Sequence, residues 1–142
     1  EQALSLQGDS APYVQYAHAR ACSILRAAAA AGLTLADAER AADFGALGRL
    51  EVRLAQALAR YPRVVEAAAE ELAPHQVAQY ALDLATAWNA YYNHKDESGR
   101  PDTQVLRADP GLREARLLLG DAVRRTLAAT LDLLGVRAPE EM

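Results

Sequence analysis

With 142 residues, 51% of them hydrophobic, the chain is long enough to bury one real core and too short to build two. Fifteen basic against nineteen acidic residues leave a net charge of −4, which excludes a domain that grips nucleic acid by charge alone; any RNA contact has to be local. A single cysteine, Cys22, rules out an internal disulfide. No charged-then-apolar leader and no apolar run of membrane-spanning length are present, so the expectation is a cytoplasmic protein without a membrane partner.

Residues 1–142 read as one domain, with residues 1–10 as a lead-in and 95–110 as a flexible loop. Alanine is abundant and aromatic content is 6%, which suits closely packed helices, so the expected fold class is all-α: a bundle of about five helices. Glu1 to Gln7 carry no start signal and look like the cut end of something larger. Asp9 or Ser10 can cap a first helix, and Pro12 sits where a missing N–H costs nothing. Val14, Ala17, Ala21, Ile24, Leu25 and Ala28 form its apolar stripe, and Gly32 can close its last turn in a left-handed conformation. Beside the stripe, Tyr13, Tyr16 and Arg20 follow at i, i+3, i+7: two aromatics ending in a guanidinium. With Gln15 and His18 alongside, that row offers the stacking planes and donors that unstacked RNA bases accept, while the same spacing also fits tyrosines packed against neighbouring helices.

Thr34 and Asp37 make a weak capping box for a minor helix toward Phe44. Ala46, Leu47, Leu50, Leu54, Leu58 and Tyr61 share a face that Pro62 ends or bends. Val64, Val65, Ala68 and Leu72 carry the pattern to the boundary at Ala73-Pro74. His75 to Asn93 is the best helix, with Val77, Tyr80, Ala81, Leu84, Trp88 and Tyr91 in a broad buried stripe and Leu82, Ala85, Asn89 and Tyr92 in a neighbouring one. His94 to Pro110 is polar, has only Val105-Leu106 to hold it, and should be mobile near Glu97 to Thr103. Leu112 to Leu134 closes the chain with Leu112, Ala115, Leu119, Ala122, Val123, Leu127, Thr130, Leu131 and Leu134 facing inward, Arg113, Arg124 and Arg125 outward, and Gly135 as the stop. Gly120 in mid-helix should mark a close helix contact.

Catalytic chemistry is missing from the pattern. His18, His75 and His94 stand far apart with no ligand-spaced partner, so neither a metal site nor catalytic residues are expected. Glu70-Glu71, Asp96-Glu97 and Glu140-Glu141 are adjacent pairs, which point about 100° apart on a helix rather than into one site. Cys22 should be a half-buried, inert thiol. Fourteen of the fifteen basic residues are arginines, with Lys95 the exception; the planar fork suits phosphates and base planes, although a GC-rich genome produces the same bias.

The wording Pro12-Tyr13-x-Gln15-Tyr16-Ala17-His18-Ala19-Arg20 resembles the opening of the C-terminal anticodon-binding domain of arginyl-tRNA synthetases, named for an Asp-Ala-Leu-Arg-type signature. The resemblance continues through Tyr61-Pro62-x-Val64-Val65, Leu72-Ala73-Pro74-His75, Tyr80-x-x-Asp83-Leu84-Ala85, Trp88-Asn89-x-Tyr91-Tyr92, Ala115-Arg116-Leu117 and Leu134-Gly135-x-x-Ala138-Pro139-Glu140-x-Met142. It implies a helical bundle that binds the anticodon stem and loop of arginine tRNA, with Tyr92 and Met142 near the anticodon. Tyr13, Gln15, Tyr16, Arg20 and Asn89 complete the candidate RNA-binding set, and Trp88 belongs to the core. The resemblance also implies a separate catalytic domain that charges the tRNA using ATP with Mg2+, as a monomer; the class I His-Ile-Gly-His and Lys-Met-Ser-Lys motifs are absent here, so this chain holds no cofactor. One departure stands out: the family commonly ends Pro-Glu-Arg-Met, and here Glu141 replaces the cation. The rival reading is a helical interaction module that docks a protein partner, or its own catalytic domain, through Tyr13, Tyr16 and Arg20.

Overall fold

A computed structural model describes residues 11–142. Six α-helices follow one another: α1 (Ala11–Ala30), α2 (Leu35–Ala41), α3 (Arg49–Ala59), α4 (Tyr61–Glu70), α5 (Pro74–Tyr92) and α6 (Leu112–Leu133), with a short 3-10 turn at Phe44–Ala46. Among the described residues no strand forms, only an isolated bridge between Lys95 and Pro101. The capping expected of Asp9 or Ser10 and the lead-in at 1–10 fall outside the described residues.

The three long helices α1, α5 and α6 pack against each other; α3 and α4 cover α5, while α2 lies on α6. Their interface is one apolar cluster built on Val14, Ala17, Leu84, Trp88, Val123 and Leu127. A second cluster gathers Ala28, Ala38, Val105 and Leu117 under the loop. Ile24 and Leu25 sit at the margin of these clusters, half-buried. Leu117, fully buried, falls outside the inward positions that the 3.6 period gives, because α2 and Val105 of the loop cover α6 from a second side.

Helix ends follow from local chemistry. The Thr34 hydroxyl accepts from the Asp37 backbone N–H at 3.1 Å, the cap expected from the sequence. Three helices close with the same pair of hydrogen bonds, in which the second residue past the cap donates back five positions: Leu33 to Ala28 and Val136 to Leu131, each at 2.9 Å, and Ala73 to Ala68 at 2.8 Å. That geometry needs a left-handed residue, supplied by Gly32 and Gly135 in two cases and by Leu72, with φ of 52°, in the third. Leu72 therefore leaves the apolar face on which the pattern placed it and is 88% exposed. α3 stops at Ala59, just ahead of Pro62 as expected, and Pro62 itself stands in the first turn of α4, where its missing N–H is harmless. At Gly120 a Cβ would lie 3.7 Å from the Trp88 ring, an ordinary contact, so close approach of α5 and α6 does not itself demand glycine.

The segment after α5 is better anchored than its polarity implied. Thr103 is buried and donates to the Tyr91 carbonyl at 2.7 Å, and Asp102 meets the His94 imidazole at 2.6 Å. A turn at 96–100 is closed by the Asp96 carboxylate, which accepts from Ser98 and from the Arg100 backbone. His94 thus holds the loop rather than serving only the end of α5.

Burial also claims charge that the sequence pattern leaves outside. Glu51 is 3% exposed and paired with Arg116 at 2.7 Å, while its two oxygens also take the Tyr91 hydroxyl at 3.3 Å and the Gly48 N–H at 3.1 Å. Arg116 reaches on to the Asp102 carbonyl at 2.9 Å, so one guanidinium ties α3, α6 and the loop together. Burial and the neighbouring carboxylate push the Tyr91 hydroxyl well above its ordinary range, so it stays a donor.

Candidate nucleic-acid interface

Four of the candidate residues meet. Arg20 projects from the middle of α1 toward the end of α5, where its guanidinium carbon lies 4.7 Å from the centre of the Tyr16 ring and 4.4 Å from that of Tyr92. Tyr16 shares its face of α1 one turn earlier, and Tyr92 arrives because α5 crosses α1 there. The guanidinium donates from Nη1 to Asn89 Oδ1 at 2.9 Å and from Nη2 to Asn93 Oδ1 at 3.3 Å. Asn89 is buried, so its acceptor oxygen serves to aim Arg20. Asn93, one turn further on, does the same at the rim and is absent from the candidate set; its signal in the sequence is the i, i+4 spacing from Asn89.

The aromatic row is more crowded than its spacing implies. Tyr92 is 38% exposed, with Arg20 over one face and Trp88 tilted against it at 6.2 Å between centroids. Trp88 itself is buried and stacked on Tyr91 at 5.7 Å, the core position expected of it. Tyr13 packs against the main apolar cluster and is half-buried.

Gln15 and Met142 lie elsewhere. Gln15, His18 and Arg26 occupy one flank of α1, roughly 130° around the axis from Tyr16 and Arg20. Along that flank runs the C-terminal tail. Gln15 donates to the Arg137 carbonyl at 2.7 Å, the His18 Nδ1 faces the Pro139 carbonyl at 2.8 Å, and Arg26 donates to the Glu140 carbonyl at 3.0 Å. A carbonyl only accepts, so this contact fixes His18 with its proton on Nδ1. Glu141 pairs with Arg26 at 3.6 Å across open solvent. Met142 is 60% exposed at the end of this strap.

Arginines of the first and last helices do converge, around Cys22. Cys22 is buried rather than half-buried. Burial pushes the thiol up, while Arg124 and Arg26 pull the other way. Their charge is largely answered, since Arg124 and Arg125 share the buried Asp121 and Arg26 holds the tail. Among the described residues no group of three His, Cys, Asp or Glu side chains could hold a metal ion. No single described helix is long and apolar enough to cross a membrane.

The geometry is thus that of an all-α bundle displaying an aromatic and guanidinium platform on one flank and a strapped tail on another. A family model described as the DALR anticodon binding domain matches residues 14–142. Over its whole length the chain is 50% identical to the arginine-tRNA ligase of Deinococcus radiodurans, covering 23% of that protein, and 52% identical to that of Thermus thermophilus, covering 22%. The solved arginyl-tRNA synthetase of Thermus thermophilus superposes with a TM-score of 0.90 at 52% identity, over 99% of this chain and 22% of that one. A Campylobacter jejuni structure shares the fold, with a TM-score of 0.70 at 24% identity over 92% of this chain and 26% of that one. The chain belongs to the DALR anticodon-binding domain family. It spans less than a quarter of the length of these arginine-tRNA ligases.

Proposed function

We propose that the chain binds the anticodon stem and loop of an arginine tRNA as one domain of a cytoplasmic, monomeric arginine-tRNA ligase. The observation that carries this reading is the Tyr16–Arg20–Tyr92 stack, held by Asn89 and Asn93. A guanidinium layered between two rings is a flat, charged platform whose exposed edge and remaining ring surface can receive an unstacked base. On a chain of net charge −4, such local recognition is the physically available route to RNA. Activation of arginine with ATP and Mg2+ would reside in the catalytic part, which docks beside this domain; this chain contributes positioning of the tRNA and no step of the chemistry.

The test is a titration of the chain with arginine tRNA transcripts carrying the native or an altered anticodon. Binding should be weak, fall with salt along a shallow slope, and drop further with the altered anticodon. Tyr92→Ala should cost about 1–3 kcal/mol, the range for one base–aromatic stack, with helix content by circular dichroism unchanged. Equal affinity for both transcripts, or a steep salt dependence shared with unrelated RNA, would favour the interaction-module reading instead.

A further inference from the structure

Next to the platform lies a groove of about 680 Å³ that nothing above employs. Its floor is Ile24 and Ala27 of α1, one wall is Tyr92 at the end of α5, and the other wall is the loop with Val105 and the exposed Leu106. Its lip carries Lys95, the chain's one lysine, and Arg107. Both cations are exposed, and neither is paired with a carboxylate among the described residues. Arg49, Arg53, Arg60, Arg63, Arg100 and Arg137 also lack a carboxylate partner among the described residues; what sets Lys95 and Arg107 apart is that they flank one apolar slot. Asn93 and Gln104 also line the groove. The Asn93 oxygen is taken by Arg20, which leaves its amide protons, and both Gln104 side-chain groups are unspent among the described residues.

The geometry points to a single nucleotide of the bound RNA, adjacent to the one on the platform, as the occupant of this groove. Its base would lie against Ile24, Ala27 and the far side of Tyr92, with an edge toward Asn93 and Gln104, and its phosphate would sit between Lys95 and Arg107. The volume is ample for one nucleotide, the pair of cations matches a phosphate, and the shared Tyr92 makes the slot continuous with the platform. The loop anchored by Thr103, Asp102 and Arg116 is then a built wall of the RNA site, not a connector. This inference rests on the RNA-binding reading and adds its second subsite.

The experiment uses this chain and a fluorescently labelled anticodon stem-loop of an arginine tRNA, together with the same RNA made abasic at each loop position in turn. Lys95→Ala with Arg107→Ala should weaken binding about tenfold and lower the salt slope by about one, for the one phosphate the two cations hold. Ala27→Trp, which fills the slot from an exposed helix position, should weaken binding about tenfold, and this penalty should vanish for the RNA abasic at one loop position. Parent-like binding by these variants while Tyr92→Ala binds poorly would overturn the groove and leave the platform standing. Parent-like binding by all of them, Tyr92→Ala included, would remove both. A penalty from Ala27→Trp that is equal on every abasic RNA would mean general obstruction, and would also overturn the seated nucleotide.

Discussion

At Leu72 a single backbone angle outweighs side-chain hydrophobicity. The closing turn of α4 needs a left-handed residue, and a leucine there crowds its Cβ against the following carbonyl at a cost of about 1–2 kcal/mol. Its side chain, 88% exposed, recovers almost nothing by burial. Leu72→Gly should therefore raise stability by up to about 1 kcal/mol, the relief of strain being partly offset by the freer unfolded chain. Thermal melting decides it: a variant that melts below the parent would mean that the side chain packs more than its exposure implies. The Arg20 stack obeys the same logic in reverse. A planar fork can lie between two rings and still donate to two asparagines, whereas an ammonium cannot, so Arg20→Lys should weaken binding to the anticodon stem-loop by about 1 kcal/mol or more while leaving the melt nearly unmoved.

Between elements, the joint that matters is Glu51 with Arg116. Replacing Glu51 by glutamine leaves a guanidinium, 12% exposed at its side chain, without its counter-charge, and should cost about 3 kcal/mol in a denaturant melt. The capping carboxylate of α6 adds a pH dependence. Burial pushes the Glu114 carboxyl up, but hydrogen bonds from the Arg113 side chain and the Gly111 and Glu114 backbones outweigh it and hold the group below its ordinary value of 4.5. The stabilisation is thus present above about pH 4.5 and is lost as pH falls below it, because the unfolded chain takes up that proton first. Such joints mark the limit of what is legible in the sequence. Helix positions, glycine stops and the Leu84–Trp88–Tyr91 stripe follow from local periodicity and are readable there. Glu51, Asp121 and Leu117 are not, since their burial depends on which helix or loop arrives from far along the chain. The same holds for the site: Tyr16 and Arg20 are visible as a row, but only the crossing of α5 brings Asn89, Asn93 and Tyr92 onto it. Gln15, about 100° around α1 from Tyr16, lies on the flank that the tail occupies.

Over the whole molecule, two flanks of α1 are put to different uses, and on the proposed RNA-binding reading the tail decides how much charge the RNA would meet. Val136 and Ala138 pack on the core and the main-chain carbonyls of Arg137, Pro139 and Glu140 are held by α1, so the backbone to Glu140 is fixed independently of what residue 141 carries. Glu141 answers Arg26 in solvent, an ion pair worth little to stability. Glu141→Arg should accordingly leave the melting temperature within a degree or so of the parent. It changes the net charge from −4 to −2 and sets two cations side by side at the end of the strap. If the strap lies along the RNA, as the proposed placement of Met142 requires, affinity for the anticodon stem-loop should rise several-fold and the salt slope should steepen by about one to two, for residue 141 and the released Arg26. The measurement is a salt titration of both proteins against the stem-loop and against an unrelated hairpin. An equal gain on both RNAs would mean only a weaker general repulsion, and an unchanged slope would put the tail, with Met142, away from the RNA.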